Sequence, residues 1–155
     1  MFHVETSCDI RGADRMWLGE GVRIQADCWL NIAFNNPHGK LMIVIGEGTD
    51  IGRRTTISAA NSIVIGRNVL ISPNVFIADT DHEYRGEEPI IFQGITTHTD
   101  RVLIDDGAWI GINAVILGNV HIGKNAVVGA NTVVTKDVES RTVVAGNPMR
   151  VLKCI

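Results

Sequence analysis

Cysteine is scarce in this 155-residue chain. Cys8, Cys28 and Cys154 form an odd, scattered set with no C-x-x-C pair. Neither a zinc ribbon nor a disulfide framework is expected from that spacing, and a reducing, cytoplasmic compartment is the default. An excess of one charge sign is also lacking. The formal net charge is −3 with charged residues at 20%, so there is no basic footprint for nucleic acid and no polybasic membrane anchor. No run approaches the roughly 18 apolar residues of a membrane span, and residues 1–6 lack the apolar stretch of a signal peptide. Leucine and large rings are few. The chain has 7 Leu and 8 aromatics against 20 Ile and 17 Val. β-Branched side chains favour strands over helices, and 16 Gly adds many tight turns. The length fits one domain with its own core, which needs no disulfide or metal to fold.

What is present is a repeat. From Ile104 the chain reads IDDGAW, IGINAV, ILGNVH, IGKNAV, VGANTV, VTKDV, so Ile104, Ile110, Ile116, Ile122, Val128 and Val134 recur every sixth residue. The fifth position of each unit is small or Val. The same phase opens units at Leu18, Ile24 and Leu30, at Ile45, Ile51 and Ile57, and at Ile65, Ile71 and Ile77, with Ile63-Val64 as a two-residue insertion. A period of six fits neither a helix nor a simple alternating strand. It fits a short strand and a turn, with three units making a triangular coil. Such coils stack at about 4.8 Å, and each needs its neighbours to satisfy its backbone. The first residue of a unit points inward. Gly at the second position, as at Gly46 and Gly111, is expected to ease the turn.

The repeat breaks twice. Residues 36–44 separate two coils. Residues 83–103 leave as an extruded loop, a length that usually marks function or disorder. The chain therefore reads as one domain over residues 1–155: an N-terminal extension at 1–17, coils over 18–138 and a C-terminal cap at 139–155. His82 stands at the loop's root. An imidazole there can deprotonate a hydroxyl near neutral pH, but by itself it reads more readily as a solvated histidine at a strand end.

Over residues 18–153 the sequence resembles the hexapeptide-repeat transferases. The resemblance is specific at Trp109-Ile110-Gly111, at Gly129-Ala130-Asn131-Thr132-Val133-Val134-Thr135-Lys136-Asp137 and at Gly146-Asn147-Pro148-Met149-Arg150-Val151. These look like the branch holding the maltose, galactoside and capsular-sugar O-acetyltransferases. The resemblance implies an all-β, left-handed parallel β-helix. It implies acetyl-CoA as donor, His82 as catalytic base and Glu83 as the carboxylate that orients it, with Asp79 and Asp81 as competitors. It places cofactor contacts at Trp109, Gly111, Ile112, Gly129, Ala130, Thr135, Lys136, Arg150 and Lys153. Trp109 is either a lid on the cofactor groove or an interface anchor. It also implies a homotrimer with active sites between subunits. The γ-type carbonic anhydrases share the fold and bind zinc through three histidines, but no two histidines here are spaced to share a coil face; only His82 with His98 and a neighbouring subunit would serve. Where the galactoside and maltose enzymes place an asparagine and an aspartate near the sugar, this chain has Gly52 and Ala60. The expected activity is O-acetylation of a sugar or surface-polysaccharide precursor. N-acetylation of a nucleotide-linked amino sugar and a non-catalytic β-helix scaffold are the alternatives.

Overall fold

The computed structural model describes residues 1–33, 40–96 and 101–155. Its strands assemble into three sheets, parallel except for the last strand. Each sheet forms one side of a triangular coil. The first face stacks His3–Val4, Arg23–Ile24, Asp50–Ile51, Leu70–Ile71, Trp109–Ile110, Val127–Val128 and Thr142–Ala145. The second stacks Asp9–Arg11, Trp29–Ile32, Thr56–Ala59, Phe76–Ala78, Val115–Ile116 and Val133–Val134. The third stacks Met16–Leu18, Ile43–Ile45, Ser62–Ile65, Arg101–Ile104 and Val120–Ile122, with Val138 bridged to Ile122.

The six-residue period keeps equivalent side chains in step from coil to coil. Ile24, Ile51, Ile71, Ile110, Val128 and Val144 form one internal column, all of it buried. Each such side chain contributes about 1.5–3 kcal/mol by leaving water. The inner corner between the first two faces holds the small fifth positions. There Thr55 Oγ1 donates to Ser72 O at 3.4 Å and the Cys28 thiol to Gly52 O at 3.3 Å, so Cys28 is a corner filler in the core, as its position in the repeat implies.

Three sequence-based boundaries change. Residues 1–17 are not an extension, because His3–Val4, Asp9–Arg11 and Met16–Leu18 pair in parallel with the coil that follows. They form a complete first coil. The loop ends before residue 101 and not at 103, because Arg101–Ile104 already pairs with Ser62–Ile65. The earlier break ends before residue 44, since Ile43–Ile45 is a strand of the third face; residues 34–39 lie outside the described residues. At the C-terminus, Arg150–Cys154 turns back antiparallel on Thr142–Ala145 and closes that end of the stack.

The glycine reading also changes. The backbone turns through left-handed φ at the fourth position of the units, where Asn68, Asn74, Asn113, Asn119, Asn125 and Asn131 have φ between 52° and 59°. Asparagine tolerates this region better than most side chains. The second-position glycines do not occupy it. Gly46 is required for space instead: a Cβ there would lie 2.5 Å from Gly66 C and 2.6 Å from Gly66 O of the next coil.

Candidate active site

The corner between the second and third faces is where the coils depart from regularity. In the fifth coil it is tight, turned by Asn119 at φ 58°. In the fourth coil the chain leaves it after Ala78 and returns at Arg101. The loop's stem is ordered. His82 bridges to Ile95 in antiparallel fashion, Thr96 N donates to Asp81 O at 2.8 Å, and Glu83 N donates to Gly94 O at 3.1 Å. Thr80 Oγ1 donates to Thr96 O at 3.1 Å. A short helix, Ile90–Gln93, caps the loop and exposes Ile90, Ile91 and Phe92.

Beside this stem, on the second face, lies a cleft of about 560 Å³. Its floor is built by outward side chains of successive coils, Trp29, Ser58, Phe76, Ala78 and Leu117, and its rim by Asp81 and His82. His82 is solvent-exposed at this rim, and its backbone N–H donates to Asp81 Oδ1 at 2.8 Å. The Glu83 carboxylate accepts from Tyr84 N at 3.0 Å and Arg85 N at 3.1 Å, bonds that fold the loop's first turn. Asp79 is fully buried and accepts from the backbone N–H groups of Ala60, Asn61 and Ser62. Burial raises its pKa, and those three donors oppose the rise.

The implied cofactor residues divide between two margins of the second face. Gly111, Ile112, Gly129 and Ala130 lie at the corner with the first face. There a Cβ on Gly111 would meet Ala130 N at 2.7 Å, and one on Gly129 would meet Ala145 Cβ at 2.9 Å. Arg150 pairs with Ala145 and Lys153 with Val143, which sets them beside the end of the same column. Trp109 is half exposed on the first face, and its Nε1 donates to Ser72 Oγ at 3.1 Å. Thr135 and Lys136 lie at the opposite margin, directly after Val133–Val134, as does His82.

The cleft floor was missed in the sequence. Asn31 Nδ2 donates to Ser58 Oγ at 3.2 Å, and both point outward from the second face. Their signal was available, since Ser58, Ala78 and Leu117 are all second positions of their units. The remaining histidines do not join His82. His3 is on the first face, and His121 is on the third, with Nε2 2.8 Å from Asp105 Oδ2. His38 and His98 lie outside the described residues. Among the described residues no group of three or more His, Cys, Asp or Glu is placed to hold a metal ion, and no helix is long and apolar enough to cross a membrane.

Comparison with known proteins agrees with this architecture. The family described as bacterial transferase hexapeptide (six repeats) matches residues 101–136, and the hexapeptide repeat of succinyl-transferase matches residues 42–78. The chain is 30% identical to WbbJ of Escherichia coli, assigned as a lipopolysaccharide biosynthesis O-acetyl transferase, over 94% of this chain and 75% of that one. It is 30% identical to the galactoside O-acetyltransferase of Lactococcus lactis, over 89% of this chain but only 62% of the relative. Among solved structures, the hexapeptide-repeat acetyltransferase VCA0836 of Vibrio cholerae, complexed with acetyl coenzyme A, superposes with a TM-score of 0.74 at 30% identity, covering 88% of this chain and 69% of that one. The N-acyltransferase AntD of Bacillus cereus superposes with a TM-score of 0.82 at 22% identity, covering 97% and 78%; at that identity the likeness concerns the fold. The chain is a left-handed parallel β-helix and belongs to the hexapeptide-repeat acetyltransferases, which take acetyl-CoA as donor.

Proposed function

We propose that this protein transfers an acetyl group from acetyl-CoA to a hydroxyl of a sugar or surface-polysaccharide precursor, with His82 as general base. The observation that carries this reading is His82 on an ordered stem at the rim of the cleft. Neutral imidazole takes the hydroxyl proton as the oxygen attacks the thioester carbonyl. The C–S bond then breaks, and the imidazolium returns the proton to the departing thiolate. Backbone N–H groups stabilise the oxyanion. Glu83 holds the turn that follows His82, and its carboxylate is the group we assign to orienting the imidazole. Backbone groups along the Gly111–Gly129 corner can bond the pantetheine arm, while Lys136, Arg150 and Lys153 offer positive charge to phosphates.

The likeness to WbbJ supports a polysaccharide-linked acceptor. The two margins support assembly: His82 and the glycine column lie on opposite edges of one face, and a neighbouring copy can bring one against the other. The exposed Ile91 and Phe92 of the loop, and Leu70 and Trp109 of the first face, are apolar surface for such contacts. We therefore assign the active species as a homotrimer with sites between subunits. An acceptor panel with acetyl-CoA, read by mass spectrometry, tests the activity. Ester formation on a sugar hydroxyl is expected. Acetylation of amines alone would replace this reading with the N-acetyl one, and no calorimetric binding of CoA would leave only a scaffold.

A further inference from the structure

Between the loop-bearing fourth coil and the interrupted second lies the third coil, and its corner is unusual. Ile57 is in register with Ile77 and Ile116, and Ile63 with Val102 and Val120. The chain takes six steps from Ile57 to Ile63 but four from Ile116 to Val120. The two extra residues widen the corner, and no residue in it has the left-handed φ that Asn119 supplies in the fifth coil. The widened corner directs three consecutive N–H groups at one carboxylate. Asp79 Oδ1 accepts from Ala60 N at 2.6 Å, and Oδ2 accepts from Asn61 N at 2.8 Å and from Ser62 N. Asp79 is the one Asp, Glu, Lys or Arg that is buried among the described residues. A buried carboxylate persists only where hydrogen bonds replace its water.

Asp79 is three residues before His82, and the stem between them is tied down by hydrogen bonds. Thr80 bonds Thr96 through its side chain, Asp81 exchanges bonds with Thr96, and His82 is bridged to Ile95. The carboxylate therefore fastens the base of this stem to the same turn that ends the Thr56–Ala59 strand, which supplies Ser58 to the cleft floor.

We propose that Asp79 is a positioning residue: its clamp on the Ala60–Ser62 turn fixes the stem that carries His82 at a set height over the cleft floor. The inference rests on His82 being the base. Asp79→Asn keeps the side chain's shape but removes one acceptor and turns an amide N–H₂ toward a backbone N–H. In the folded variant kcat should fall at least tenfold, while KM for acetyl-CoA stays within twofold, because the glycine column and Lys136 lie on other coils. The His82 ring signals in NMR should move. A merely structural role would lower the folded fraction and leave kcat per folded molecule and the ring signals at wild-type values, and that result overturns the proposal. Should the asparagine variant not fold, Asp79→Glu displaces the same carboxylate by one methylene and is judged by the same two readouts. His82→Ala is assayed beside them. If it keeps the full rate, the catalytic reading itself falls. If it is inactive while folded Asp79 variants keep wild-type kcat, only the clamp does.

Discussion

Replacing Gly46 by Ala tests the physical basis of the stack. Gly46 has no left-handed φ, and its missing Cβ would sit 2.5–2.8 Å from three backbone atoms of the next coil. Ordinary contact begins near 3.4 Å, so the two coils would have to part by close to 1 Å. They are held together there by Gly46 N donating to Ile65 O and Asn68 N donating to Glu47 O, both at 2.8 Å. The atoms in the way are backbone and cannot rotate aside. Overpacking of this kind together with weakened hydrogen bonds costs about 3 kcal/mol, and a domain of this size loses roughly 2–4 °C of Tm per kcal/mol. A melt followed by circular dichroism should therefore show a fall of about 6–12 °C. If glycine served here only for chain flexibility, alanine at an ordinary φ would stabilise by about 0.4–1 kcal/mol instead. The two explanations differ in sign, and an unchanged or raised Tm would refute the steric one.

Other expectations follow from burial and assembly. Cys28 is buried, and desolvation pushes its thiol pKa from 9.0 up to about 11. A raised pKa means that its contribution to stability is complete below pH 9 and lost as pH rises toward 11. Cys28→Ala should therefore lose less stability than the wild type across that window in urea titrations at stepped pH, and equal losses would contradict the assignment. Cys154 is exposed and Cys28 is not, so a thiol reagent at pH 8 should label Cys154 first, and early labelling of Cys28 would mean the first coils open readily. Light scattering of the active protein should give the mass of three chains, and a fully active monomer would contradict the intersubunit site.

The inward columns were legible because β-branched residues at a period of six mark a short strand and turn, repeated. Ile104, Ile110, Ile116, Ile122, Val128 and Val134 are all buried. The first coil was not, although Val4, Ile10 and Met16 keep the six-residue spacing. Those side chains are only half buried at the open end of the stack, and their mixed types hide the pattern. The turn mechanism was misread because glycine at the second position and asparagine at the fourth both mark turns in sequence. Only the stacked backbone separates a need for space from a need for left-handed φ. His82 and the loop root were visible as a break in the repeat. The floor at Trp29, Ser58 and Phe76 was not read: its outward positions are in the repeat, but they form one cleft only once coils from distant stretches are laid in register. Asp79 looked like one of several loop carboxylates; its three donors lie on another coil, and no local spacing announces them.

The most direct test of the account is the steady-state rate of CoA release by His82→Asn with an accepted sugar, compared with wild type. The variant keeps a polar side chain at the exposed rim and should retain its fold. Loss of a general base lowers the rate by about 10²–10⁴-fold, so kcat should fall by that order while KM for acetyl-CoA stays near the wild-type value. A folded His82→Asn enzyme that releases CoA at the wild-type rate would contradict the central claim.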